Sequence, residues 1–99
     1  MNINNEINSV SVNETDFNSF VEKLRKIWCD NLGVDSVSDD DNYFVLGGNS
    51  LRGLKLLSEI NAVSGAEIDY SDIFEFQEFL PLTEKIYETV MSGKNKKYE

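Results

Sequence analysis

The sequence contains no histidine and a single cysteine, and each scarcity removes a class of function. Without histidine, the chain cannot contain a Ser-His-Asp or Cys-His catalytic arrangement. Cys29 alone cannot form an internal disulfide or a cysteine-rich zinc site. Because no neighbouring residue would activate its thiol, we expect Cys29 to be partly buried and without a role.

Basic residues are scarce too, since 9 lysines and arginines stand against 18 acids and give a formal net charge of −9. This balance argues against nucleic acid as a partner, because phosphate binding needs a basic patch. The acidic surface either steers the chain toward basic faces of other proteins or confers only solubility. Charge alone leaves both alternatives open.

Long apolar runs are absent as well. No run approaches the roughly 20 residues of a membrane-spanning helix. The first residues, Met1 to Glu6, lack the basic start and apolar core of a signal peptide. We therefore expect a cytoplasmic protein that does not enter a membrane.

The length of 99 residues suits one domain, and the period of the apolar residues predicts an all-α fold. We expect a flexible lead over residues 1–14, a helical domain over residues 15–92 and a flexible basic tail over residues 93–99. The lead is rich in asparagine, and we find no usable period in its apolar residues. A short extended segment lying on the domain is the alternative for this lead.

The first predicted helix spans about residues 16–32 and is followed by Gly33, which favours a helix end. Its predicted buried face consists of Phe17, Phe20, Val21, Leu24, Ile27 and Trp28. The long connection that follows contains the acidic run 39–41. Counted as an EF-hand loop from Asp39, the position that requires glycine is Phe44. A solvated acidic turn is therefore expected there instead of a calcium site.

The second predicted helix spans about residues 50–64 and ends at Gly65. Its predicted buried face consists of Leu51, Leu54, Leu57, Ile60 and Val63, broadened by Leu56. Gly53 within this helix costs up to ~1 kcal/mol relative to alanine. Its presence indicates close packing at that point.

A short helical turn with Ser71 as its N-cap precedes the last helix. The last helix spans about residues 79–91, with Pro81 in its first turn and Gly93 as its stop. Its predicted buried face consists of Phe79, Leu82, Ile86 and Val90. The expected architecture is a small four-helix bundle of three longer helices and one short helix.

The segment from Gly47 to Ser50 connects the long loop to the second helix. The glycine pair permits positive φ and close approach of another molecule, and Asn49 or Ser50 can cap the helix. Ser50 is expected to be exposed at a helix N-terminus, where the dipole stabilises a phosphate. Without a base, its hydroxyl is a poor nucleophile. The residues alone leave two alternatives: an ordinary helix cap, or a hydroxyl that another enzyme modifies.

Residues 41–51, DNYFVLGGNSL, resemble the core motif of the thiolation domains, or peptidyl carrier proteins, of nonribosomal peptide synthesis. The similarity covers roughly residues 20–90, since residues 27–34 resemble the end of the family's first helix and residues 72–75 its L-F-E stretch. Asn49 replaces the usual histidine or aspartate but keeps its capping ability. Gln77 stands where the family often has proline, which allows a displaced start of the last helix.

This resemblance implies an acyl carrier protein-like bundle with no catalysis of its own. A phosphopantetheinyl transferase would use coenzyme A and magnesium to attach 4′-phosphopantetheine covalently to Ser50, beside Gly48 and Asn49. The terminal thiol would hold an aminoacyl, peptidyl or related acyl group as a thioester, as in antibiotic biosynthesis. The implied further partners of this monomeric chain are an adenylating enzyme and a condensing or other acyl-transfer enzyme.

The resemblance also implies that partners dock on the second helix and the loop before it. The candidate docking residues are Phe44, Val45, Leu46, Leu51, Arg52, Leu54 and Lys55. Core packing is the competing expectation for at least two of the leucines. A solvated face is the competing expectation for the two cations.

Two other functions stay open from the sequence. One is an acyl carrier for polyketide, fatty-acid or D-alanyl transfer, although the second helix lacks the acidic character common in such carriers. The other is an unmodified helical interaction module. The chain holds no adenylation or condensation motif and is either free-standing or part of a larger synthetase. Its cargo is not indicated.

Overall fold

A computed structural model describes the chain from Asn2 to Ser92, with side chains described from Asp16 onward. It contains four helices: α1 (Asn2–Leu32), α2 (Ser50–Ser64), α3 (Tyr70–Glu75) and α4 (Phe79–Met91). Between residues 2 and 92, the extended pairing is confined to a single bridge that joins Asn42 and Glu78. The predicted all-α fold of three longer helices and one short helix is confirmed. In this part of the chain, no helix has both the length and the apolar character needed to cross a membrane.

The first helix begins earlier than the sequence predicted. It starts at Asn2 instead of near residue 16, so residues 2–14 belong to α1. The sequence permits this longer helix, since no glycine or proline interrupts residues 2–32. The tail predicted over residues 93–99 lies outside the described residues.

The end of α1 lies where predicted. Gly33 adopts a left-handed conformation with φ of 72°, and its N–H donates to the carbonyl of Cys29 at 2.8 Å. This geometry closes the last turn and releases the chain into the long connection. Cys29 is partly buried, as expected. Burial is the main cause that raises the pKa of its thiol.

The core forms around Trp28, which is fully buried. Its ring contacts Tyr43 and Phe79 edge-on, with centroid distances of 5.2 and 5.1 Å. The other fully buried apolar side chains come from all four helices: Leu24, Leu56, Ile60, Ile73, Leu82 and Ile86. Within the predicted face of α1, Val21 and Leu24 are buried with Trp28, whereas Phe17, Phe20 and Ile27 are partly buried.

The buried face of α2 differs from the predicted one. Leu51, Leu54 and Val63 are exposed, and the buried residues are Gly53, Leu56, Leu57 and Ile60. The reason lies at Gly53, because a Cβ there would be 2.5 Å from the ring of Tyr70. The missing side chain lets Tyr70 of α3 pack closely on this side of α2. The prediction of close packing at Gly53 is confirmed, but the helix is rotated relative to the predicted face.

The short helix α3 has a different cap from the predicted Ser71. Its N-cap is Asp69, whose carboxylate accepts the N–H of Ser71 at 3.0 Å. In return, the carboxylate of Asp72 accepts the N–H of Asp69 at 2.9 Å. This reciprocal pair is a capping box, which explains how a helix of six residues is held at its start.

The acidic turn at residues 39–41, in the connection between α1 and α2, supplies backbone acceptors for the start of α4. Glu78 makes no side-chain cap. Instead, the N–H groups of Phe79 and Leu80 donate to the carbonyls of Asp41 and Asp39 at 2.9 and 2.8 Å. α4 therefore begins at the predicted residue, with Pro81 in its first turn, and the start is not displaced.

Two carboxylates of this acidic turn are engaged rather than simply solvated. Asp39 forms a salt bridge with Arg25 at 2.9 Å, and Asp41 accepts the N–H of Ser38 at 2.7 Å. The guanidinium of Arg25 also donates to the carbonyl of Val37 at 2.6 Å. These contacts fasten the long connection to α1.

Candidate functional site

Ser50 is the first residue of α2 and is exposed. The cap itself is Asn49, whose side-chain oxygen accepts the N–H of Arg52 at 2.9 Å. Of the two candidate caps that the sequence left open, Asn49 and Ser50, the structure therefore uses Asn49. Because Asn49 does the capping, the Ser50 hydroxyl is not used for this purpose and faces solvent at the helix N-terminus.

The two glycines before Ser50 have separate roles. Gly47 adopts φ of 112°, which side-chain-bearing residues rarely adopt. Gly48 lies against the buried ring of Tyr43, and a Cβ on it would be 2.2 Å from Cε2 of that ring. The first glycine thus makes the turn, and the second brings the loop onto the core. The close approach seen at Gly48 is therefore to a side chain of the same molecule, and the expected approach of another molecule stays a prediction.

A chain of hydrogen bonds ties this loop to α1 and α2. The hydroxyl of Tyr43 donates to Oδ1 of Asn31 at 2.6 Å, and Nδ2 of Asn31 donates to the carbonyl of Arg52 at 3.0 Å. The guanidinium of Arg52 in turn donates to the carbonyl of Gly47 at 2.9 Å. Burial raises the pKa of Tyr43 from 10.0 to about 12, so the phenol stays a donor in this network even at pH values where an ordinary tyrosine ionises.

Tyr70, which the sequence analysis did not single out, lies beside Ser50. Its hydroxyl is 3.5 Å from Oγ of Ser50. Its ring contacts Phe74 edge-on at 4.9 Å, and Phe74 stacks on Phe44 at 5.1 Å. The signal that pointed toward this contact was the glycine inside α2, because Gly53 leaves the space that the Tyr70 ring fills.

Exposed apolar side chains surround this end of the molecule. Val45 and Leu51 are 81% and 78% exposed, and Leu54 and Phe74 are each more than half exposed. Leu51, Leu54 and Lys55 share one face of α2 because they are three and four residues apart. Phe74 was not among the predicted docking residues. The expectation that at least two of the candidate leucines are core residues is wrong for Leu51 and Leu54.

The remaining predicted docking residues differ in exposure. Phe44 and Leu46 are partly buried and pack against the core. Arg52 and Lys55 are exposed, but the guanidinium of Arg52 is held by the carbonyl of Gly47. Lys55 has no such contact in the part of the chain that the structure describes. Among the predicted set, the structure therefore exposes Val45, Leu51, Leu54 and Lys55, without such a contact for Lys55 in the described residues.

Comparison with known proteins identifies the family. Residues 22–79, which include Ser50, match the family described as "Phosphopantetheine attachment site". The chain belongs to this family. Domains of this family carry a covalently attached 4′-phosphopantetheine. The predicted recognition as a carrier domain is confirmed.

The chain is also similar to short segments of nonribosomal peptide synthetases. It is 38% identical over 68 residues to nonribosomal peptide synthetase imqB of Aspergillus flavus. The aligned segment covers 69% of this chain and 2% of that synthetase. The chain thus spans about 2% of the length of this curated relative. A solved nonribosomal PCP domain is 28% identical, with a TM-score of 0.56 over 62% of this chain and 78% of that one.

A second solved structure supports the fold. BlmI, a type-II acyl carrier protein from Streptomyces verticillus involved in bleomycin biosynthesis, superposes with a TM-score of 0.74. The superposition covers 81% of this chain and 96% of BlmI, at 24% sequence identity. The acyl carrier protein-like bundle predicted from the sequence is therefore confirmed for this carrier domain.

Proposed function

We propose that 4′-phosphopantetheine is attached to Ser50 and that the chain carries aminoacyl or peptidyl groups in nonribosomal peptide synthesis. The observation that carries this proposal is the exposed hydroxyl of Ser50 at the N-terminus of α2, left free because Asn49 is the cap. When bound, the group supplies a flexible arm whose terminal thiol holds an acyl group as a thioester. This placement lies inside the segment that matches the family.

The residues around Ser50 fit a group that contains a phosphate. The first hydrogen bond of the α2 ladder runs from the N–H of Gly53 to the carbonyl of Asn49 at 2.7 Å. The N–H groups of Ser50 and Leu51 therefore precede the ladder, as at any helix start. No acidic residue occupies the first turn of α2. The positive end of the helix dipole is thus available to a phosphate at this position.

Ser50 needs an external base for its modification. Among the described side chains, its hydroxyl contacts the hydroxyl of Tyr70, and no carboxylate is bonded to it there. We propose that a phosphopantetheinyl transferase supplies this base. The transferase uses coenzyme A as the donor of the 4′-phosphopantetheine group and magnesium as its cofactor. The chain itself is proposed to have no catalytic activity, as is general for carrier domains.

The exposed apolar surface next to Ser50 is the proposed docking site for partner enzymes. It consists of Val45, Leu51, Leu54 and Phe74, with Lys55 on the same face of α2 as the two leucines. Large apolar side chains grouped at one end of a small domain indicate a protein contact. The proposed partners are the transferase, an adenylating enzyme and a condensing or other acyl-transfer enzyme, all acting on a cytoplasmic monomer.

Intact mass spectrometry tests the attachment site. The wild-type chain is incubated with coenzyme A, magnesium and a broad-specificity phosphopantetheinyl transferase, beside the variants Ser50→Ala and Ser58→Ala. Ser58 is the matched control, because it is an exposed serine of the same helix. One phosphopantetheine group is expected on the wild type and on Ser58→Ala, and none on Ser50→Ala. An unmodified wild type, or a modified Ser50→Ala, would overturn the proposal.

The class of cargo needs a second experiment. Arg52 and Lys55 outnumber the single acid of α2, Glu59, and this charge supports the peptidyl type over carriers with an acidic second helix. The modified chain is incubated separately with purified adenylating enzymes for amino acids and with acyl-transfer enzymes for malonyl or fatty acyl groups. Loading by an amino acid alone is the expected result. Loading only by the acyl-transfer enzymes would assign the chain to the other class of carrier.

A further inference from the structure

We propose that Tyr70 is a positioning residue whose hydroxyl binds the phosphate of the group carried on Ser50. This proposal rests on the proposed attachment to Ser50. The two side chains come from different helices, since Ser50 begins α2 and Tyr70 begins α3. Their proximity is therefore a property of the fold and not of the local sequence.

The distance between the two hydroxyls supports this role. Oη of Tyr70 lies 3.5 Å from Oγ of Ser50. The most common O–H···O distance is about 2.7–2.8 Å, so the bare serine engages Tyr70 only weakly. A phenol hydroxyl in this position keeps its donor capacity for an oxygen of a group esterified to Oγ of Ser50. Hydrogen bonds to a charged acceptor are stronger than those between neutral hydroxyls.

The Tyr70 ring is held in place from two sides. On α2, Gly53 leaves the space for the ring, because a Cβ there would be 2.5 Å from its Cε1. On α3, Phe74 contacts the ring edge-on at 4.9 Å. Phe74 is itself stacked on Phe44, which lies in the loop before α2. A ring fixed by these contacts presents its hydroxyl with little loss of side-chain freedom. The arrangement is therefore suited to orienting a group on Ser50.

The nearby cation does not fulfil this role in the structure. The guanidinium of Arg52 donates to the carbonyl of Gly47 at 2.9 Å and is thereby directed toward the loop. Oγ of Ser50 lies instead beside the hydroxyl of Tyr70, at 3.5 Å. The phosphate would thus be held by a neutral side-chain donor, together with the N-terminal N–H groups of α2.

Phosphorus-31 NMR tests the proposal on the modified protein. The wild type, Tyr70→Phe and Tyr87→Phe are converted with coenzyme A and the transferase, and the phosphodiester resonance of each is recorded. Tyr87→Phe is the matched control, since Tyr87 is also partly buried but packs on Phe17 and Phe20. We expect the Tyr70→Phe resonance to shift and to narrow, because the phosphate loses a donor and gains mobility. The Tyr87→Phe resonance should coincide with that of the wild type.

The outcomes separate this proposal from the proposed function. Tyr70→Phe keeps the ring contacts with Gly53 and Phe74, so its unmodified form should unfold in urea with a midpoint close to that of the wild type. A modified wild type whose resonance is unchanged in Tyr70→Phe would overturn the role of Tyr70 alone. An equal shift in Tyr87→Phe would also overturn it. A wild type that accepts no phosphopantetheine would overturn both proposals.

Discussion

A Cβ atom on Gly48 would lie 2.2 Å from Cε2 of Tyr43, so the loop that carries Ser50 rests directly on the core. Tyr43 is fully buried and its ring packs edge-on against Trp28. The ring therefore has no free space into which it can withdraw. Gly48→Ala should destabilise the unmodified protein by about 1–3 kcal/mol, the usual cost of overpacking a core. Urea unfolding of the variant beside the wild type measures this loss.

Gly53→Ala is the matched comparison for Gly48→Ala. Its new Cβ would also meet a tyrosine ring, 2.5 Å from Cε1 of Tyr70. However, Tyr70 is only partly buried whereas Tyr43 is fully buried, and alanine gains up to about 1 kcal/mol over glycine inside a helix. Gly53→Ala should therefore cost clearly less stability than Gly48→Ala. A loss in Gly53→Ala as large as that in Gly48→Ala would contradict this account.

Two leucines of α2 test which face of the helix is buried. Leu51 is 78% exposed, whereas Leu56 is fully buried. Leu56→Ala should cost about 2–5 kcal/mol, because it leaves a cavity in the core. Leu51→Ala should change the free energy of unfolding by no more than about 0.5 kcal/mol. Urea unfolding of both variants measures the difference, and equal losses would show that the face predicted from the apolar spacing also contributes to the core.

The bounds of α2 and α4 were predictable because local signals mark both ends. Asn49 and Gly65 bracket α2 as cap and left-handed stop, and the apolar spacing of α4 begins at Phe79, its first residue. The rotation of α2 was not predictable by the same reasoning. Glycine carries no apolar side chain, so Gly53 did not count toward a buried face even though it is one of the four buried residues of α2.

The candidate site was predictable at Ser50 and incomplete around it. The local motif placed Ser50 at a helix N-terminus, and the resemblance gave it a proposed role. Tyr70 and Phe74 follow it by 20 and 24 residues in the sequence, so no local pattern joins them to Ser50. Their contact depends on how α3 packs on α2, which only the three-dimensional structure shows. Likewise, Asp69 became the cap of α3 through a reciprocal bond with Asp72.

The cap of α2 provides a test of the helix start at the attachment site. Asn49 accepts the N–H of Arg52 through its side-chain oxygen at 2.9 Å. Asn49→Ala removes this acceptor and should cost about 0.5–2 kcal/mol. Asn49→Asp keeps the acceptor and places a negative charge at the positive end of the helix dipole, so it should retain the wild-type stability. Urea unfolding compares the three proteins, and a similar loss in both variants would show that capping is not the main contribution of Asn49.

Tyr43 makes the stability of the fold depend on pH in the alkaline range. Burial, with a smaller contribution from Tyr70, raises its pKa from 10.0 to about 12, while Arg52 acts in the opposite direction. Since the folded state holds the phenolic proton more tightly than the unfolded state, this contribution is fully present below pH 10. It is lost as the pH rises through about 12. The tyrosinate absorbance of the folded protein should therefore show one group that titrates well above an ordinary tyrosine.

Tyr43→Phe isolates the contribution of the Tyr43 phenol from every other effect of alkaline pH on stability, because the two proteins differ only in that hydroxyl. At neutral pH the variant lacks the hydrogen bond from Tyr43 to Asn31, which is 2.6 Å long, and should be less stable by about 1 kcal/mol. Between pH 10 and 12 the Tyr43 phenol of the wild type ionises in the unfolded state but stays protonated in the folded state. This stabilises the unfolded wild type and has no counterpart in Tyr43→Phe, so the stability gap between the two proteins should close. Urea unfolding at a series of pH values measures this gap. A gap that stays constant up to pH 12 would show that the Tyr43 hydroxyl is not buried as the structure places it.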